Sequence, residues 1–254
     1  MIKLKRLNLD SSWHINFEKI NFIIDPWLLG SEIDGFKWLN EQWHIKEPVK
    51  IKSIPSFEFI LISQNYEDHC HINTLQELPK KKTLLATKKA FDKLSKYFSD
   101  RKLVLLKENK ISKYQNINFL VLKPNKKIDP IYYALVIFNT KNEGLFYAPH
   151  GFELSINQLK LIKKIKIKLL ITTFTEFELP NIMGGKVNPG MDNVYKLYNQ
   201  IKPKHTINTH DEKKKAKGLV SSLAKIKYAD INMIEKDNSI NFIKIDNYKE
   251  KTIS

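Results

Sequence analysis

The sequence predicts an α/β fold built as one domain over residues 1–254, and three observations carry that expectation. The chain's 254 residues, 42% of them hydrophobic, suffice to bury a full core. Apolar runs of strand length alternate with stretches whose apolar residues recur at helical spacing. Several of those runs stop abruptly on Asp, His, Ser or Gln, as in a sheet that presents chemistry along its carboxyl edge.

From the amino terminus, residues 2–7 and 12–17 alternate apolar and polar side chains around Asn8-Leu9-Asp10-Ser11, which predicts a hairpin. Residues 20–24 form an apolar strand stopped by Asp25-Pro26, because the residue before a proline is pushed out of helical geometry. Residues 30–47, with Phe36, Trp38 and Trp43 and preceded by Trp27, make an aromatic-rich insertion, either a substrate wall or a small local core. The apolar run Phe59-Ile60-Leu61-Ile62 then spills into Ser63-Gln64-Asn65-Tyr66-Glu67-Asp68-His69-Cys70-His71. A short helix at 74–78 ends at Pro79, a strand at 84–87 leads into a helix at 88–98, and Ala90, Phe91, Leu94 and Tyr97 share that helix's apolar face. Strands follow at 103–106, 117–122, 131–138 and 144–147, the last delivering Ala148-Pro149-His150-Gly151. Ile156, Leu159 and Ile162 mark a helix, 169–173 a strand, and 174–189 a loop running into Gly190. Val194, Leu197 and Ile201 mark another helix, before a strand at 204–211 that reaches His210-Asp211. A helix at 212–225 and strands near 231–234 and 240–245 complete the pattern.

Composition narrows the partners. The formal charge is +16, yet Arg6 and Arg101 are the only arginines, and specific phosphate and base recognition favours the bidentate guanidinium fork. Nucleic acid is therefore disfavoured as a partner, and the runs Lys80–82 and Lys213–215 read as solvated faces. No Gly-x-x-x-x-Gly-Lys-Ser/Thr pattern supports a phosphate loop. No apolar run reaches the roughly 18 to 20 residues of a membrane span, and the first residues lack the apolar core of a signal peptide. With Cys70 the single cysteine, there is no intramolecular disulfide or thiolate-rich metal site to consider, and a cytoplasmic location is expected.

The stretch from Ser63 to His71 resembles the first motif of the metallo-β-lactamase superfamily, a strand ending in Ser followed by His-x-His-x-Asp-His. Asp68 and His69 fall on its last two positions, while Gln64 and Tyr66 stand where the family has its first two histidines. The resemblance runs from Asp25 to His210 and implies a four-layer αββα sandwich with Asp25, Asp68, His69, His150 and His210 on one edge. It also implies that the first metal position has lost its three imidazoles, since residues 119–130, where the second motif would supply one, contain no histidine. The second position keeps Asp68 and His69, His210 follows a late strand as the family's last histidine does, and His150 replaces the acid that bridges two ions.

The resemblance thus implies one divalent cation, zinc, iron or manganese, held by Asp68, His69, His150 and His210. The implied activity is hydrolysis of an ester, amide, thioester or phosphodiester in a small-molecule or anionic substrate. Asp68 belongs to the catalytic group, with Tyr66 or Gln64 donating to the developing oxyanion, and Asp25 and His71 support the ligands from behind. Plainer readings stand beside each role: Asp25 stabilising its own turn, Asp68 capping the next helix, His69 bonded to backbone in the core, His71 in the helix's first turn. The alternative function is a non-catalytic binding protein of the same fold that holds an anionic ligand or partner on its basic rim.

Overall fold

The central apolar runs, Phe59–Ile62, Thr83–Ala86 and Ala134–Phe138 among them, become buried strands in a computed structural model that describes residues 1–125 and 130–253. Residues 126–129, part of the histidine-free stretch 119–130, lie outside the described residues. Two compact units make up the chain: residues 1–106, 212–222 and 246–254 form the first, and residues 107–211 and 223–245 the second.

The first unit carries a seven-stranded sheet in the order Lys251–Ile253, Ile2–Arg6, Trp13–Phe17, Ile20–Ile24, Phe59–Ile62, Thr83–Ala86, Leu103–Leu105. Strands up to Ile20–Ile24 pair antiparallel, and those after it pair parallel. Parallel neighbours need crossovers, and the helices Ile72–Glu77 and Lys88–Leu94 supply them. Their apolar residues Leu75, Ala90 and Leu94 pack with Ile60, Ile62 and Leu84 of the sheet, and each large aliphatic side chain so buried is worth ~2 kcal/mol. The aromatic insertion contains the strand Glu41–His44, paired antiparallel with Lys214–Lys217. Trp27 is buried there, whereas Phe36 and Trp38 stack 5.9 Å apart and remain exposed.

The second unit repeats the scheme with six strands: His205–Asn208, Lys166–Thr172, Glu143–Ala148, Ala134–Phe138, Ile117–Leu122, Ile111–Tyr114. Again an antiparallel half adjoins a parallel half, which starts where Glu143–Ala148 meets Lys166–Thr172. Helices Ile156–Ile162 and Met191–Ile201 make the crossovers, the former opened by a capping box between Ser155 and Gln158. A small sheet of Lys186–Pro189, Glu176–Glu178 and Lys225–Lys227 hangs beside them.

The loop expected at 174–189 contains the strands Glu176–Glu178 and Lys186–Pro189, and three further elements differ. Residues 212–225, expected as one helix, form the strand Lys214–Lys217 and the short helix Leu219–Leu223, separated by Gly218 at φ 105°. Cross-strand bonding to Glu41–His44 outweighs the helical propensity of Lys and Ala. Residues 231–234, expected as a strand, lie in the helix Ile231–Lys236, because the Asp230 carboxylate accepts from the amides of Asn232 and Met233 and caps it. Around 240–245 the strand expected is reduced, among the described residues, to an isolated bridge between Phe242 and Thr206. No helix among the described residues is long and apolar enough to cross a membrane.

Candidate metal centre

Parallel strands end together, so the residues just past their carboxyl ends are gathered on one edge. In the first unit, Ile20–Ile24 and Phe59–Ile62 are parallel neighbours, and Asp25 and Ser63 are the first residues beyond them. Asp25 takes the left-handed conformation at φ 48° and donates its amide to Leu61 O at 3.0 Å. Its carboxylate accepts from Ser63 N at 2.7 Å, from Ser63 Oγ, and from His69 Nδ1 at 2.8 Å. That last bond places the proton on Nδ1 and turns the Nε2 edge of the imidazole toward Asp68.

The turn carrying both residues is closed by Tyr66 O, which accepts from His69 N at 3.0 Å and Cys70 N at 2.7 Å. Asp68 is anchored through its own carbonyl, which accepts from Ser11 Oγ at 3.0 Å. Its Oδ2 lies 3.6 Å from His69 Nε2, beyond hydrogen-bond length. Two donors bound ~2.0 Å from one tetrahedral ion sit about 3.3 Å apart, so the spacing fits a shared metal better than a shared proton. Burial pulls the His69 pKa down, but Asp68, Asp25 and Asp10 outweigh it and push it up to about 9. A cation binding here at neutral pH therefore displaces a proton.

Gln64 is buried and Tyr66 half-buried within the same turn. His71, expected behind the ligands, is buried as the N-cap of Ile72–Glu77: its Nδ1 accepts from Thr74 N at 3.2 Å, and Nε2 lies 3.2 Å from Ser31 O. Asp68 therefore does not cap that helix.

In the second unit, His150 follows Glu143–Ala148 and His210 follows His205–Asn208. Their rings meet edge to face with centroids 4.6 Å apart, and a ring nitrogen of each lies within 4.8 Å of one in the other. His150 Nδ1 lies 2.8 Å from Asn188 Oδ1, and the Tyr132 ring packs 4.0 Å from the imidazole. Gly151 comes next at φ 72°, where a Cβ would come within 2.6 Å of Pro189 Cγ, so only glycine lets the chain turn there. His210 also sits in the left-handed region, at φ 57°. The next residue fixes it: the half-buried Asp211 carboxylate accepts from Thr173 Oγ1 at 2.8 Å, Phe174 N at 3.0 Å, Thr175 N at 2.8 Å and Asn208 Nδ2 at 3.1 Å.

Each unit thus brings together one pair of the expected ligands, Asp68 with His69 and His150 with His210. Sequence reasoning misses Asn188, Asp211, and a set of charged residues in the first unit, Asp10, Glu32, Asp34 and Lys214. Asn188 stands in the glycine-bearing loop, so the sequence marks its place without marking its role. Lys214 is hidden in a lysine run.

Compared by sequence alone, the chain matches no family profile and no curated protein. Solved structures do resemble it. An isothiocyanate hydrolase from Delia radicum gut bacteria is similar with a TM-score of 0.73 and 12% identity over 100% of both chains. A possible metal-dependent hydrolase from Veillonella parvula is similar with a TM-score of 0.70 and 11% identity over 98% of each chain. A metallo-β-lactamase-fold protein from Bacillus subtilis is similar with a TM-score of 0.55 and 12% identity, over 82% of this chain and 86% of its own. The chain has the mixed α/β metallo-β-lactamase fold that the partial motif implied.

Proposed function

We propose that the protein is a metal-dependent hydrolase in which Asp68 and His69 of the first unit and His150 and His210 of the second hold one divalent cation. The observation that carries this reading is the Asp25–His69–Asp68 arrangement. One ring nitrogen is engaged by a buried carboxylate, and the other stands 3.6 Å from an anionic oxygen. Histidines that ligate metals are oriented in this way, by a carboxylate or carbonyl on the far side of the ring. His150, with Nδ1 against Asn188, has the same construction. The hydrolase fold of the similar proteins supports the reading from a separate direction. A nitrogen-rich donor set suits zinc, iron or manganese.

When bound, the ion supplies a Lewis acid and lowers the pKa of a water toward neutrality. The chain's own residues do the rest. Asp25 keeps the His69 ring fixed, Asn188 and Asp211 do the same for His150 and the His210 backbone, and Tyr66 or Gln64 donates to an oxyanion forming beside Asp68. Four protein ligands would fill a tetrahedral ion, so a catalytic role would need either one of the four to stand off the metal or the coordination to expand. An ester, amide, thioester or phosphodiester in a small or anionic molecule is the substrate class, and the lone buried Cys70 accords with a cytoplasmic protein.

Elemental analysis of protein purified without an affinity tag tests the proposal. About one equivalent of metal is expected, with His210→Ala lowering metal content and melting temperature together, because metal binding adds to folding free energy. Metal-free protein whose melting temperature ignores both added zinc and chelator would remove the hydrolase reading and favour a binding protein of the same fold.

A further inference from the structure

We propose that the groove between the helices Ile156–Ile162 and Met191–Ile201 docks an acidic peptide segment of a partner protein, with an aliphatic side chain filling the groove and carboxylates meeting the lysines around it. The groove lies wholly within the second unit and shares no residue with the metal centre.

The groove has a volume of about 410 Å³ and is lined by Ile156, Leu159, Ile162, Ile165, Ile167 and Ile201. Clefts that hold small ligands or single side chains start at roughly 300 Å³. Ile162 and Ile167 belong to the buried core, and Leu159, Ile165 and Ile201 pack against that core while still partly exposed. Ile156, which opens the helix's apolar stripe, is 74% exposed. The stripe that seats the helix on the sheet therefore continues past the core into open space. Gln200 also lines the groove, and its Oε1 is cut off from solvent yet accepts no hydrogen bond among the described residues. A buried amide left unpaired is destabilising, so an occupant that brings its own hydrogen-bonding groups gains by binding there.

The surroundings of the groove are basic without relief. Lys160 and Lys163 line it, Lys164 precedes Ile165, and Lys202 and Lys204 follow Ile201. All five are exposed, and among the described residues none is paired with a carboxylate. Other lysines of the same unit are paired: Lys196, on the same helix as Gln200, reaches Glu153 at 2.9 Å, and Lys186 reaches Glu176 at 3.2 Å. No Asp or Glu occurs from residue 154 through 175 or from 193 through 210, so the chain around the groove offers these lysines no acid of its own. Charge complementarity then separates the occupants. A second copy of the chain carries +16 and is repelled. Nucleobases stack on aromatic platforms, whereas the apolar residues lining the groove are all aliphatic. A lipid acyl chain fills aliphatic space but brings nothing to the Gln200 amide. A peptide brings an aliphatic side chain, backbone N–H and C=O groups for both ends of the amide, and Asp or Glu for the lysines.

A phage-displayed library of random peptides, panned against the full-length wild-type protein, provides the test. Enriched peptides are synthesised with a fluorophore and titrated by anisotropy against wild type, Ile156→Asp, and the double variant Lys160→Glu with Lys163→Glu. The substituted side chains are all exposed, so both variants are expected to fold, as circular dichroism would register. If one of them is unfolded, the other decides. Enriched peptides are expected to set an Ile, Leu or Val beside Asp or Glu, and to bind either variant at least about tenfold more weakly than wild type. Failure to enrich any peptide, enrichment of peptides without that pattern, or equal binding to wild type and both variants overturns the proposal. So does the finding that phosphatidylglycerol vesicles, and not peptides, distinguish wild type from Ile156→Asp, which makes the groove a membrane contact.

Discussion

Asp25 occupies a left-handed conformation that costs a non-glycine residue ~1 kcal/mol or more, and the cost is offset by what its carboxylate gathers. Three donors converge on it, all from residues with no solvent exposure: Ser63 N, Ser63 Oγ and His69 Nδ1. Removing the acceptor leaves all three without it in the interior. Asp25→Ala is therefore expected to lower unfolding free energy by about 3 kcal/mol in a urea titration, and to release metal, since the His69 ring loses its orientation. Asp25→Asn, which keeps one acceptor oxygen, is expected to lose less of both. A variant that keeps full metal content without Asp25 would show that the ring is held by other means.

At the scale of elements, strand ends are the legible part. An apolar run that stops on Asp or His announces both the strand and the group it delivers, so Asp68, His69, His150 and His210 can be read from local pattern. Partners delivered by register cannot. Lys214 reaches Asp10 because a strand pairs with another about 170 residues earlier in the chain, and nothing in Lys213-Lys214-Lys215 distinguishes the middle residue. Helix starts are partly legible: Ser155 with Gln158 is a capping box in the sequence as in the structure, whereas the cap at Asp230 is masked by the apolar residues Ile231 and Ile234 beside it. His71 is an uncommon N-cap, and its ring is bonded on both sides, to Thr74 and to Ser31 O. His71→Ala is expected to cost about 2 kcal/mol in thermal or urea unfolding while metal content stays at the wild-type value. A fall in metal content would move His71 from helix start to ligand support.

At the scale of the whole molecule, the charge of +16 is carried almost wholly by lysine. Many of these lysines are exposed, and several pair with carboxylates at the surface, as Lys88 with Asp92 and Lys196 with Glu153. Exposed pairs of this kind contribute little and are screened by salt. Binding to DNA or RNA is expected to be weak, insensitive to sequence, and largely gone by about 200 mM salt, as a fluorescence-anisotropy titration at rising ionic strength would register. Sequence-selective binding that survives that salt would contradict the view of the lysines as solvated surface.

The first unit is not continuous in the chain. Its sheet is nearly complete by residue 106, but Glu212 and Lys214 belong to it and are made only after residues 107–211. A chain still emerging from the ribosome therefore carries Asp10 and His44 long before the side chains that pair with them exist. Closing the unit early would bury the Asp10 carboxylate without that ammonium, which is costly in an apolar interior. A chain cut short before residue 214 is therefore expected to be cleaved faster within its first 106 residues than the full chain, as limited proteolysis of the two would register.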